Sequence, residues 1–149
     1  MDNFKLKNIV KGIFENSDIK KPRWCAIILD DESHNKLTSF FRNNFSKLDN
    51  WDIISHHMTV DPFNPLTSKD IDKIGKKYTL TVTEVGLSKL ACAVKVEGYD
   101  GETNNKFPHV TLAINRDIGG KPKDSNDVSK WKPLHITDQI ELNGVAENL

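Results

Sequence analysis

The spacing of apolar positions changes along the chain, and each change marks an element. Phe4, Ile9, Val10, Ile13 and Phe14 recur at the spacing of a short amphipathic helix that Asn16-Ser17-Asp18 would stop, so residues 1–20 are expected to form an accessory helix. Arg23 to Leu29 follows Pro22 with the unbroken apolar run Trp-Cys-Ala-Ile-Ile-Leu. A run of that length predicts a central strand covered on both faces. From Glu32 to Leu48 the residues Leu37, Phe40, Phe41, Phe45 and Leu48 return at helical spacing, with acidic residues at the start where the helix dipole favours them. Trp51 to Val60 goes back to extended chain. Asp61-Pro62 closes it, because the residue before proline is pushed toward extended geometry and proline has no amide donor.

A short helix is expected over 68–77. Thr79 to Val85 and Leu90 to Val96 then alternate apolar and polar residues, and with Gly86 between them they predict an antiparallel hairpin. Gly98 to Lys106 is a polar loop, Pro108 to Asn115 a strand, Gly119 to Trp131 a loop with a helical turn, and Gln139 to Val145 a last strand. Strands and helices in this order make an α+β pattern rather than a regular βαβ series.

The chain has 149 residues, enough for one domain with one core and too few for two independent cores. It is 37% hydrophobic and 28% charged, with 21 basic and 21 acidic residues balancing to zero. A neutral protein has no global field to draw it onto duplex DNA or an anionic membrane, so any attraction for phosphate has to be local. Cys25 and Cys92 both fall inside apolar strands and are expected as small core residues in a reducing compartment, not as a disulfide. Met1 to Lys11 is interrupted by charges and offers no signal peptide or membrane span, which makes the cytoplasm the expected location. The abundance of Lys, Asn, Asp and Ile suits an AT-rich genome, such as that of a phage.

One short element occurs twice. His57-Met58-Thr59-Val60 and His109-Val110-Thr111-Leu112 both read His, apolar, Thr, apolar, and both fall in predicted strands. Alternation puts His57 and Thr59 on one exposed face and Met58 and Val60 on the other, with the same division around His109 and Thr111. If the strands lie side by side or in facing lobes, two imidazoles and two hydroxyls meet. One imidazole can then take a proton and the other give one, since the free histidine pKa of about 6.5 lies near working pH. The threonines can donate to non-bridging phosphate oxygens.

These paired motifs, the Pro-His-Val-Thr-Leu form of the second and the hairpin between them resemble the 2H phosphoesterase superfamily over roughly Arg23 to Val145. Its members include LigT-like RNA 2',3'-cyclic phosphodiesterases and ligases, the cyclic phosphodiesterase domains of tRNA ligases and 2',5'-oligoadenylate phosphodiesterases. Phage enzymes that destroy cyclic-nucleotide alarm signals also belong to it. The resemblance implies a LigT-like fold of two small lobes around a central cleft, catalysis by His57, Thr59, His109 and Thr111, and no metal or other cofactor. It implies a nucleotide or RNA-end substrate, with a small cyclic oligonucleotide the alternative; the competing reading, from a different class, is a nucleotide- or RNA-binding module that keeps the cleft without turnover. Oligomeric state is left open.

Around the motifs, Trp24, Phe107 and Trp131 are candidates to stack on a base, Phe107 first because it borders His109. Lys121 and Lys123, in the basic loop Gly119 to Asn126, are candidates to hold a terminal phosphate. A third copy, His135-Ile136-Thr137, is followed by Asp138, whose carboxylate would repel phosphate, so His135 is expected to be dispensable. His56 is expected on the face opposite His57, in a structural role, and His34 in solvent. A zinc site on His57 and His109 lacks a third ligand.

Overall fold

A computed structural model describes residues 21–135 and 139–149. The expected N-terminal helix and Ile136-Thr137 of the third motif copy lie outside the described residues. The elements are β1 (Cys25–Leu29), α1 (Asp31–Asn44), β2 (Asp52–Ile53), β3 (His57–Asp61), β4 (Lys77–Leu87), β5 (Ala91–Glu97), β6 (His109–Ile114), β7 (Trp131–Pro133) and β8 (Glu141–Asn148), with short 3-10 turns at Ser46–Leu48, Ile71–Lys73, Arg116–Ile118 and Pro122–Asp127. This is the expected α+β class.

Six strands close a ring in the order β1-β8-β4-β5-β6-β3, every neighbour antiparallel, with β2 on the outer side of β6 and β7 on β4. Register carries one face of the ring from Ile27 to Met58, Val110, Val94, then Val96 and Val82, Leu80, Leu142 and Ala146, and back to Ile27. All of them are buried, which makes this face the core. Closing a sheet on itself leaves no exposed ladder edge along the ring and buries one face of every strand at once. The helix α1 starts on Asp30, whose carboxylate accepts from the Ser33 amide at 2.8 Å. It sends Leu37 and Phe41 into the same core.

Local predictions gave way in five places. Trp51 to Val60 is two strands, not one, because Ser55 takes a left-handed φ of 48° between them. The helix expected to reach Leu48 ends at Asn44, where Phe45 leaves helical geometry and a 3-10 turn follows. The helix expected over 68–77 shrinks to one 3-10 turn, since Ile71 and Ile74 stay exposed and supply no buried stripe. Gly86 is not the hairpin turn but lies inside β4, and the chain reverses at Ser88 to Leu90. A side chain at Gly86 would come within 2.7 Å of both Trp131 and Val128, so the glycine is there for close approach. The short strand β7 begins at Trp131, the last residue of the expected loop, where no strand is predicted.

Among the described residues, no helix is long and apolar enough to cross a membrane. Cys25 and Cys92 are free thiols in the core, as their apolar surroundings in the sequence predicted.

Candidate active site

The two motif strands are neighbours. The strands β3 and β6 meet through a single register pair, Met58 facing Val110, and both of these side chains are fully buried on the core face. Alternation then turns His57 and Thr59, and His109 and Thr111, to the opposite, outer face. All four line one cavity of about 290 Å³. The neighbours on either side keep this floor low: Ala26 lies opposite Thr59 across β1, and Ala93 opposite Thr111 across β5. A methyl beside each threonine leaves room above it for a ligand.

Walls rise from the loops. Trp24 and Pro62 stand on one side, Asn105 comes from the polar loop before β6, and Pro122, Lys123 and Asn126 come from the 3-10 turn Pro122–Asp127. That turn also corrects an expectation: the face carrying His109 and Thr111 is not open to solvent, because the turn folds over Thr111 and the Phe107 ring packs on His109, leaving the two residues 6% and 8% exposed. The hydroxyl of Thr111 lies 2.8 Å from that of Ser125 and donates to the Pro122 carbonyl at 3.3 Å. Before it can donate to a ligand, Thr111 has to give up that carbonyl.

Each histidine has its own support. His109 donates Nδ1–H to the Phe107 carbonyl at 2.9 Å, which leaves the lone pair of the neutral ring on Nε2. Burial holds its pKa below the usual histidine value, and the Phe107 carbonyl works in the other direction. His57 packs edge-on against Trp24 with ring centroids 5.2 Å apart, and its Nδ1 lies 3.0 Å from Nδ1 of His56. Burial first, then the neighbouring charges of His56 and His109, push the His57 pKa down from 6.5 to about 4. Both motif imidazoles are therefore neutral at pH 7.

Of the other residues singled out in the sequence, Trp24 and Lys123 are at the cavity. Phe107 is one layer removed: its ring packs on His109 at 5.1 Å and edge-on to Trp131 at 5.2 Å, and Lys95 lies over both rings. Trp131 is behind Phe107, with its indole N–H bonded to the Val128 carbonyl. Lys121 is exposed outside the cavity, and its amide donates to Asp124. His135 is exposed and does not line the cavity. His56 is not on the far side of a strand, because the strand begins only at His57. His34 is half-buried, not solvated, and donates Nδ1–H to the Ser55 carbonyl at 2.9 Å.

Sequence reasoning also passed over Ser125, Asn105 and Asn126, for which the chain carries no local signal. The His56-His57 doublet was a signal, and strand alternation misdirected it. Among the described residues, no group of three or more His, Cys, Asp or Glu converges to hold a metal ion. No protein-family model matches the chain, and no curated protein matches it either.

Proposed function

We propose that the protein is a phosphodiesterase of the 2H type that opens a nucleotide phosphodiester by two-histidine acid–base catalysis without a metal. The observation that carries the proposal is the convergence of His57, Thr59, His109 and Thr111 on one cavity floor. In the reaction, the oxygen of a water attacks phosphorus while one imidazole takes its proton. The bond to the leaving oxygen breaks as the other imidazole supplies a proton, and proton exchange with solvent then returns both rings to their starting states. An anionic phosphate raises the pKa of both imidazoles on arrival, so the substrate itself brings the site to the singly protonated state that acid–base catalysis uses.

Thr59 and Lys123 offer donors to the non-bridging oxygens, and Trp24 offers an aromatic face beside His57. The substrate is a 2',3'-cyclic phosphate at an RNA end or a small cyclic or 2',5'-linked oligonucleotide, because a cavity of about 290 Å³ suits one nucleotide unit rather than a duplex. Degradation of a host cyclic-nucleotide signal is the biological form this takes if the gene is phage-borne. The LigT-like two-lobed arrangement belongs to the same proposal; what supports it is that β3 and β6, joined through a single register pair, each carry one motif.

Incubating the purified protein in EDTA with 2',3'-cyclic nucleotides, 2',5' and 3',5' dinucleotides and cyclic dinucleotides tests this. The expected result is product from at least one class, with kcat/KM reduced about a hundred- to ten-thousandfold in His57→Gln and in His109→Gln. Tight binding with no product favours instead the binding module, which the engagement of Thr111 with Pro122 would suit. Activity lost in EDTA and restored by zinc overturns the metal-free mechanism.

A further inference from the structure

Two consecutive histidines face each other at the edge of the cavity, and the fold goes to some expense to place them so. Ser55, the residue before the pair, has a left-handed φ of 48°. A residue with a side chain is disfavoured there, because its Cβ crowds the following carbonyl oxygen. Three hydrogen bonds hold it: its amide donates to the Thr111 carbonyl at 2.9 Å, its hydroxyl to the Leu112 carbonyl at 3.1 Å, and its own carbonyl accepts from His34 Nδ1 at 2.9 Å. The next carbonyl, that of His56, accepts from the Leu29 amide at 3.0 Å. The backbone of His56 is thus pinned to β1 on one side and, through Ser55, to the second motif strand on the other. An ordinary strand residue would point away from His57. This one brings its Nδ1 to 3.0 Å from His57 Nδ1, with the rings edge-on at 5.2 Å.

We infer that His56 is a positioning residue that donates its Nδ1–H to His57 and so keeps the His57 proton on Nε2. Two nitrogens at hydrogen-bond distance share one hydrogen, and its direction follows from the surroundings. The ring of His109 has its hydrogen on Nδ1 because only a donor suits the Phe107 carbonyl, and it brings a bare Nε2 to the cavity. Were His57 also the donor to His56, its Nε2 would be bare too, and both imidazoles lining the cavity would bring acceptor lone pairs with no ring N–H beside them. With His56 as donor, His57 contributes an N–H and His109 a lone pair, and the bare Nε2 of the exposed His56 is satisfied by water. The catalytic consequence rests on the phosphodiesterase reading, but the hydrogen-bond direction does not.

Long-range proton–nitrogen correlation spectra of the full chain, uniformly labelled at histidine nitrogen and recorded near pH 8, read each tautomer directly. The expected wild-type pattern is Nε2–H for His57 and Nδ1–H for His109. In His56→Leu the His57 signature moves toward a mixture of tautomers while His109 is unchanged. In His56→Asn, whose side-chain amide nitrogen stands where the ring Nδ1 stood, the wild-type signature returns. Nδ1–H on His57 in the wild type overturns the inference whatever the variants do, and so does a His57 signature unaltered in a His56→Leu protein whose His109 signal is intact. Where turnover is found, His56→Leu lowers kcat roughly ten- to a hundredfold at constant KM, and Asn restores it. Absence of turnover with the tautomers as stated removes the phosphodiesterase reading and leaves this one standing.

Discussion

Acid should unfold this protein partly through a single imidazole, and the size of the effect can be worked out. In the folded state the His57 pKa is pushed down to about 4, by burial first and then by His56 and His109, whereas the unfolded chain titrates at about 6.5. The unfolded state therefore binds more protons between those two values, and stability falls as the pH is lowered through that window. Above pH 6.5 the contribution is fully present. By pH 4 it has fallen by about 3 kcal/mol, at about 1.4 kcal/mol per pH unit. The test is urea unfolding of the wild type and of His57→Asn at half-unit steps from pH 7 to pH 4. Carboxylates titrate alike in both proteins, so the difference in their pH slopes reports His57 together with its coupling to His56 and His109. The wild type should lose about 3 kcal/mol more than the variant, nearly all of it below pH 6.5. Parallel slopes would refute the claim that the cavity holds a desolvated imidazole.

Three further outcomes follow from individual contacts. Gly86→Ala should destabilise by about 1–3 kcal/mol and shift the tryptophan fluorescence, since the new methyl would meet the Trp131 ring and Val128 at 2.7 Å; unchanged stability and emission would mean that the pairing of β4 with β7 is looser than described. Thr111→Val should cost about 1–3 kcal/mol in thermal or urea unfolding because the fully buried Ser125 hydroxyl loses its partner at 2.8 Å, while Thr111→Ser should cost much less. Neither cysteine should react with a thiol reagent at pH 8 in the folded protein, and both should react on denaturation, because burial raises Cys25 and pushes Cys92 up to about 12. Rapid labelling of native protein would contradict the core that contains them.

What the sequence disclosed follows from which physical rule was acting alone. Period-two alternation was enough to place His57 with Thr59 and His109 with Thr111, because both lie in strands whose other face carries core residues. The same rule failed one residue earlier. His56 precedes the strand, and Ser55 is bent by partners at 34, 111 and 112 that no local window contains. Burial of the second motif was equally hidden, since the cover comes from the turn at 122–127, where polar composition spoke for a solvated loop. Gly86 looked like a turn because glycine usually punctuates, whereas its reason is an indole that arrives from residue 131. Closure of the ring was invisible for a related cause. Alternation says which face of a strand is buried but not which strand it meets, and the β1–β8 pairing joins residues at opposite ends of the described chain.

The two motifs, alike in sequence, are unlike in their surroundings, and this difference bears on how a substrate would sit. One imidazole is anchored by a backbone carbonyl, which fixes where its hydrogen lies at any pH at which the ring is neutral. The other is anchored by a side chain that can itself gain a proton. One threonine is tied to Ser125 and the Pro122 carbonyl, and the other lies against Ala26 on the more open side of the floor. A phosphate entering such a cavity meets unequal partners on its two sides: Trp24 and Thr59 beside His57, Lys123 and the covering turn beside His109. A repeat of four residues thus becomes a directional site, because the loops that close over it are not repeated. Direction of this kind is what a phosphodiester needs, since its attacking and leaving oxygens differ and each has to meet the nitrogen in the right protonation state.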